Sequence, residues 1–266
     1  MIDIFVIQPP YLTEDNCDEK ISNFLISNLK EVKENSLVVL PEYSNAGGLS
    51  KKEDIMLALK RAEVMKKEVQ KIAKEKSLYA VINVVEERNG KLKNASYLYG
   101  KEGEEVYVYD KIHLPPSEIN LGVERGNGDC VCDYDGIRFA FLTCYDVYFN
   151  EQIEKIASSK PDLIIVSSYQ RGERVDILEA QAKLIAFRCN AYLVRASYSM
   201  GSEKVGGNSM IVAPDGVILE NIKSNIGVIT KSVDLKYKYY RSAGFGGNQI
   251  RNDDFISNGI QKDLFI

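Results

Sequence analysis

NASYLYGKEGEEVYVYDKIHL, residues 94 to 114, alternates apolar and polar side chains on either side of the turn-like KEGE. Residues two apart on a strand share a face, so the pattern predicts a hairpin with one face buried. The stretch before it reads differently. IDIFVIQ (2–8), SLVVLPE (36–42) and LYAVINVVEE (78–87) are apolar runs of strand length, separated by two helical segments. One helix is expected from about Asp18 to Lys33, with Ile21, Phe24, Leu25 and Leu29 on one face, and another over 51–76, with Met56, Leu59, Ala62, Val64 and Val69 among lysines and glutamates.

Beyond the hairpin come GIRFAFLTC (136–144), a helix near 149–158, DLIIVSS (162–168), a helix at about 174–190, and AYLVRAS (191–197). NSMIVAP, GVILE and GVITKSV add three more strand-like runs. So many strands exceed one simple βαβ sheet. Helix-linked strands followed by hairpins predict an α/β fold with two stacked mixed β-sheets and helices outside them. No linker or repeat divides the 266 residues, so a single domain over 1–266 is expected. From about residue 237 the chain is polar, aromatic and glycine-bearing, and it reads as an arm fit to wrap another surface, a second subunit included.

Composition narrows the function classes. Hydrophobic residues make up 45% and charged residues 27%, the balance of a folded globular chain. The net charge of −4 arises from interspersed acids and bases without a basic block, which argues against nucleic acid as partner. No apolar run approaches the roughly 18 residues of a membrane span, and the start lacks a signal-peptide pattern, so a cytoplasmic protein without membrane contact is expected. Five cysteines, an odd number with irregular spacing, predict free thiols. The CVC pair, Cys130 and Cys132, lacks the partners for a zinc site, because His113 is the only histidine. No metal or organic cofactor is expected. KNAS at 93–96 matches a glycosylation acceptor, without meaning in a cytoplasmic setting.

A cysteine nucleophile needs a base, a donor for the oxyanion and an acid for the leaving group. Three candidates stand where apolar strands end: Glu42 after LVVLP, Lys111 after VYVYD and Cys144 after FAFLT. Neighbouring strands are about 4.8 Å apart, so such ends can converge on one pocket. Read alone, each has a plain structural role: a core thiol, a solvated carboxylate, a surface cation.

LPEY (40–43), DKIHL (110–114) and CYDVYFNE (144–151) resemble, in order, the three signature regions of the nitrilase superfamily, carbon-nitrogen hydrolases with a Glu-Lys-Cys triad. The likeness continues through PDLIIVSS, AYLVRAS and GGNSMIVAPDG, and so covers nearly the whole chain. The resemblance implies a four-layer α-β-β-α sandwich that forms homodimers or larger homo-oligomers. It implies Glu42 as general base and acid, Lys111 as the oxyanion-side cation, Cys144 as nucleophile, and Glu118 as the support that holds substrate and lysine. The expected reaction cleaves a small amide to carboxylate and ammonia through a cysteinyl thioester. An N-carbamoyl amidase is the near alternative; a soluble acyltransferase and a non-catalytic metabolite-binding relative are the others.

On this reading Lys111 lowers the thiol pKa of Cys144 below its free value near 8.5, and the Tyr145 N–H joins Lys111 at the oxyanion. Tyr43, Tyr145 and Tyr169 are expected pocket walls, and His113 is expected to make a structural hydrogen bond. Two departures stand out. Tyr148 and Asn150 occupy places where many members have arginine and proline, and Arg188 in IAFRC stands where a glutamate is usual, implying altered packing or an altered substrate wall. With that arginine gone, carboxylate-bearing carbamoyl substrates are disfavoured, and Arg171, Arg174 or Arg188 remain to meet a carboxylate.

Overall fold

The computed structural model describes residues 1–260. In chain order its elements are β1 (Ile2–Gln8), α1 (Cys17–Glu31), β2 (Leu37–Val39), α2 (Lys52–Lys76), β3 (Tyr79–Arg88), β4 (Lys91–Tyr99), β5 (Glu105–Asp110), α3 (Pro116–Leu121), β6 (Val131–Tyr134), β7 (Ile137–Thr143), a 3-10 turn (Cys144–Tyr148), α4 (Asn150–Ser159), β8 (Leu163–Ser167), α5 (Val175–Cys189), β9 (Tyr192–Ala196), β10 (Met210–Val212), β11 (Ile218–Asn221), β12 (Gly227–Val233), β13 (Tyr240–Ser242), β14 (Gln249–Arg251) and α6 (Asn252–Ser257). Two mixed six-stranded sheets result, ordered β12-β1-β2-β3-β4-β5 and β11-β10-β9-β8-β7-β6.

The period-2 pattern decides what each face buries. In the first sheet Ile4, Val6, Leu37, Val39, Tyr79, Val81, Leu98 and Tyr109 join the core that also holds Phe139 and Phe141 of β7. Their neighbours Ile7, Val38, Ala80, Ile82 and Tyr97 point the other way, onto Ile21, Leu25 and Leu29 of α1 and Met65, Val69 and Ile72 of α2. Helices α4 and α5 cover the outer face of the second sheet through Ile153, Ile156, Ala182 and Ile185. This is the expected sandwich, with an apolar layer between sheets and a helical layer on each outside.

The 94–114 hairpin is present as β4 and β5, antiparallel, with Ser96 opposite Tyr109. Several short elements escaped the sequence reading, among them α3 and β6. Helix α3 starts at Pro116 and stops at Gly122, whose φ of +97° suits glycine; six residues are too few to show a periodicity. Strand β6 is a four-residue edge strand carrying Cys132.

The ends of β2, β5, β7 and β8 meet at one end of the sandwich, where polar contacts tie the sheets together. Ser167 Oγ donates to the Leu40 carbonyl at 3.1 Å, Ser96 and Thr143 hydroxyls lie 3.4 Å apart, and Tyr109 O–H donates to Asp146 at 2.6 Å. The chain after Lys236 forms the β13–β14 hairpin and α6 against the end of α5: Asn252 donates to the Phe187 carbonyl at 2.6 Å and Asn190 to the Tyr239 carbonyl at 3.0 Å. The last six residues of the arm expected from about 237 lie outside the described residues.

Candidate active site

Glu42 follows β2 through Leu40 and Pro41, and its side chain is 1% exposed. The next residue, Tyr43, takes a left-handed φ of +57°, which turns the chain sharply away from the sheet. That turn is fixed by Asn83, whose side-chain oxygen accepts from the Tyr43 N–H at 2.9 Å, and by Tyr198, whose hydroxyl donates to the Glu42 carbonyl at 2.8 Å.

Lys111 follows β5, anchored by its N–H to the Asn94 carbonyl at 2.9 Å. Its Nζ lies 2.8 Å from Glu42 Oε1 and 3.0 Å from both carboxylate oxygens of Glu118, which α3 supplies. Asn94 ties the pair of acids together, donating to Glu42 Oε1 at 2.7 Å and to Glu118 Oε1 at 2.8 Å, and Tyr43 O–H donates to Glu118 Oε1 at 2.8 Å. Two carboxylates thus share one buried ammonium. Glu42 Oε2 is buried without a hydrogen-bond partner among the described residues.

Cys144 follows β7 in a left-handed conformation, φ +48°. A non-glycine residue there is strained, and such strain persists where surrounding bonds fix it. Asp146 supplies those bonds. Its Oδ2 accepts from the Thr143 N–H at 2.8 Å and from Tyr109 O–H at 2.6 Å, while its Oδ1 accepts from the His113 N–H at 2.9 Å. One buried carboxylate therefore locks the turn of Cys144 onto the loop just past Lys111. His113 itself lies 3.0 Å from Asp146 Oδ1 and 2.9 Å from Gln152 Oε1 through Nδ1, with its ring stacked on Phe149 at 3.8 Å. It serves structure, as its place in the sequence suggested.

The electrostatics correct one expectation. Burial raises the Glu42 pKa, Lys111 opposes that rise and Glu118 adds to it. Burial disfavours the Lys111 ammonium, yet the neighbouring carboxylates, Glu42 first and Glu118 with it, favour the charge, and the pKa is raised. The Cys144 thiol is pushed up, first by burial and next by the Glu42 carboxylate, with Lys111 only partly offsetting both. Lys111 lowers the thiol pKa, but burial and Glu42 outweigh it, since two glutamates already share the lysine's charge.

A family model for carbon-nitrogen hydrolases matches residues 19–239. The chain belongs to the carbon-nitrogen hydrolase family. It is similar to 2-oxoglutaramate amidase of Bacillus subtilis, with 26% identity over 241 residues and 89% of each chain covered. It also resembles omega-amidase NIT2 of Pongo abelii, 27% identical over 189 residues that span 63% of this chain and 66% of the relative. Among solved structures, an amidase of the nitrilase superfamily from Nesterenkonia AN1 superposes with a TM-score of 0.75 at 16% identity, covering 99% of this chain and 95% of that one. A carbon-nitrogen hydrolase from Helicobacter pylori G27 gives 0.73 at 18% identity, covering 88% and 89%. The α-β-β-α architecture is thus shared.

In this carbon-nitrogen hydrolase a cavity of about 340 Å³ opens over the cluster, with Glu42, Lys111, Glu118 and Cys144 in its lining. Tyr43 and Tyr169 form walls, as expected, and Tyr169 O–H accepts from the Gly48 N–H at 2.7 Å. The Tyr145 side chain is a correction. Its ring turns out of the cavity lining and packs against Phe149 at 5.0 Å and Tyr148 at 5.6 Å, because the left-handed turn at Cys144 swings the next side chain aside. Of the three arginines held in reserve, Arg171 lines the cavity, Arg174 pairs with Asp176, and Arg188 pairs with Glu154 of α4, outside the cavity. Arg188 thus stitches α5 to α4. Tyr148 contacts Glu173 and accepts from Gln170 at 3.1 Å.

Asn94, Asn83, Asp146 and Tyr198 were not read as site residues. Asn83 and Asn94 are polar residues inside apolar strand runs, diagonal neighbours on β3 and β4 joined by a 2.8 Å side-chain bond. An interior asparagine in a buried strand is a signal, since burying an amide without partners is costly.

Proposed function

We propose that this chain hydrolyses small primary amides through a thioester on Cys144, with Glu42 as base and acid and Lys111 at the oxyanion. The observation that carries the reading is the buried, unpartnered Glu42 Oε2 in the cavity that Cys144 also lines. The thiol proton passes to Glu42 as sulfur attacks the amide carbon. Negative charge gathers on the former carbonyl oxygen, which Lys111 receives together with the Tyr145 N–H, a donor without a partner inside its own turn. Glu42 then gives its proton to the departing nitrogen, and ammonia leaves. Water next loses a proton to Glu42 and attacks the thioester; the acid departs and the proton returns to sulfur. Glu118 and Asn94 hold Lys111 and Glu42 in place throughout.

The same reading takes the enzyme as a cytoplasmic homodimer. All five cysteines are free thiols, in keeping with a reducing compartment. Ile177 and Leu184 of α5 are 38% and 60% exposed, and Val217, at 53%, follows a turn packed on the same helix. This apolar strip supports pairing through α5. Among the described residues no helix is long and apolar enough to cross a membrane.

The test is a series with one side chain offered as amide, N-carbamoyl amine and nitrile. The amide should give the highest kcat/KM for ammonia release. Acid quench of Glu42→Gln during turnover, followed by intact mass and peptide mapping, should find an acyl group on Cys144. A carbamoyl substrate favoured by more than about tenfold, roughly 1.4 kcal/mol, would change the substrate class. An adduct confined to Cys17, Cys130, Cys132 or Cys189 would remove the mechanism, and transfer to an added amine faster than to water would make it an acyltransferase.

A further inference from the structure

We propose that Arg195 is a positioning residue for Glu42, acting through Tyr198. This rests on the amide-hydrolase reading and adds a group that stands behind the cavity lining, not in it. Arg195 interrupts the apolar run AYLVRAS on β9, a strand held between β8 and β10. It pairs with Val166 of β8, and Leu193 shares its face two residues earlier. With Leu178, Ala182 and Ile185 of α5, those two close an apolar setting around the arginine. A hydrophobic side chain would be the ordinary occupant. A buried guanidinium stands there instead, and every acceptor it reaches among the described residues is neutral. Burial lowers its pKa to about 10, so the charge remains at neutral pH. A buried cation without an acid is destabilising, and its contacts show what it holds.

Those contacts surround Tyr198. Nη1 donates to the Gly207 carbonyl at 2.5 Å and to the Asn208 carbonyl at 3.0 Å, and the Gly207 N–H donates to the Tyr198 carbonyl at 3.0 Å. Nη2 reaches Ser168 Oγ at 3.2 Å and Gln170 Oε1 at 3.4 Å, on either side of Tyr169. Tyr169 meets Tyr198 edge-on, with ring centroids 4.9 Å apart. One planar fork therefore fastens both the segment that holds the Tyr198 backbone and the segment that packs its ring. A lysine ammonium, a single point charge, does not span the two. On its other side Tyr198 is closed in by Gly47, where a side-chain carbon would stand 2.9 Å from the ring and the hydroxyl. That hydroxyl shares its proton between the Glu42 carbonyl at 2.8 Å and the Tyr43 carbonyl at 3.1 Å, at the left-handed turn that aims Glu42. A tilt of Tyr198 moves this turn and the carboxylate with it, and a displacement of about 1 Å can cost about a hundredfold in rate.

The experiment measures ammonia release from propionamide and butyramide by the wild type, Arg195→Met, Arg195→Lys, Tyr198→Phe and the double variant Arg195→Met with Tyr198→Phe. Circular dichroism and thermal unfolding first establish that each protein is folded at the assay temperature. Alkylation of Cys144 by iodoacetamide, followed by peptide mapping, gives a second rate that needs no substrate. Arg195→Met should lower kcat by about tenfold to a hundredfold with KM held within about threefold, and slow alkylation by at least about fivefold. Arg195→Lys keeps the charge, loses the fork and should fall likewise. In the Tyr198→Phe background the loss of Arg195 should cost less than about threefold more, because the relay is already cut. An arginine that serves stability alone would lower Tm and leave kcat of the folded protein unchanged. Unchanged kcat and alkylation in folded Arg195→Met, or losses that multiply fully with Tyr198→Phe, overturn the proposal. Should Arg195→Met not fold, Arg195→Lys decides by the same readings, and full activity there overturns the relay. Slowed alkylation with no ammonia released from any amide removes the amide reading and keeps the relay. Ammonia released at the same rate by wild type and folded variants keeps the amide reading alone.

Discussion

Asn94 donates its side-chain N–H to Glu42 Oε1 at 2.7 Å, so the carboxylate proposed as base and acid is held by an uncharged neighbour as well as by Lys111. The same nitrogen reaches Glu118 at 2.8 Å. Asn94→Leu should therefore lower kcat by about tenfold to a hundredfold with a smaller change in KM, and cost about 1–3 kcal/mol of stability as two buried acceptors lose a donor. Asn94→Asp should be worse, since it adds a third carboxylate around one ammonium. Steady-state kinetics and urea unfolding of both variants check this; an active Asn94→Asp enzyme would contradict the assigned contacts.

The pH dependence follows from the raised thiol and the raised carboxylate. The proposed mechanism needs Glu42 ionised and Cys144 protonated at the start. kcat/KM should then rise with pH through a midpoint above the ordinary glutamate value of 4.5 and run flat across the range where free thiols titrate. Alkylation of Cys144 by a neutral haloacetamide should show the same absence of a thiol inflection. A second rise centred near pH 8.5 would mean that free thiolate is the reactive form.

Glu42 and Lys111 share one hydrogen bond and serve one transition state, so their losses should not add. Glu42→Gln alone should cost about 10³ in kcat/KM, Lys111→Met a similar amount, and the pair little more than the worse single change. Lys111→Met also leaves two buried carboxylates without their cation, which costs about 3–5 kcal/mol, whereas Glu42→Gln leaves Lys111 paired with Glu118. Thermal unfolding should accordingly show the double variant to be more stable than Lys111→Met. Strictly multiplicative kinetic losses would assign the two groups to separate steps.

His113 links pH to stability. Its pKa is raised above 6.5, first by its hydrogen bond to Asp146. A raised folded-state pKa stabilises fully below the unfolded value and fades as pH climbs through the folded one. The Tm advantage of wild type over His113→Asn should be greatest near pH 5 and shrink toward about pH 8. An advantage that grows over this interval would refute the Asp146 contact as its source.

The convergence of Glu42, Lys111 and Cys144 on one cavity was legible because each follows an apolar run, and a strand end is a place that sequence periodicity locates well. The alternation in 94–114 likewise announced β4 and β5. What stayed hidden depends on distance in the chain or on local dihedrals. Asn94 and Glu42 are 52 residues apart, and nothing in KNAS points to LPEY. The fate of the Tyr145 ring turns on one φ angle at Cys144, which no pattern of hydrophobicity encodes. Helix α3, which supplies Glu118, is too short for periodicity and is marked only by its proline start and glycine stop. The thiol's raised pKa reflects competition for one ammonium, and counting a lysine near a cysteine does not reveal the competitors.

Glu42 and Lys111 follow strands of one sheet and Cys144 a strand of the other, so the gap between them is set by what fills the space between the sheets. Tyr107 and Tyr109 of β5 meet Phe141 of β7 there, with ring centroids 5.3 and 6.2 Å apart. Those rings act as a spacer, a gauge block between two machined faces. Trimming Phe141 to leucine touches no reacting atom, yet a shift of about 1 Å can cost about a hundredfold in rate. The interior of this fold is then adjustable tooling for reactivity, and a lineage can retune its chemistry by changing filler residues while every reacting group stays the same.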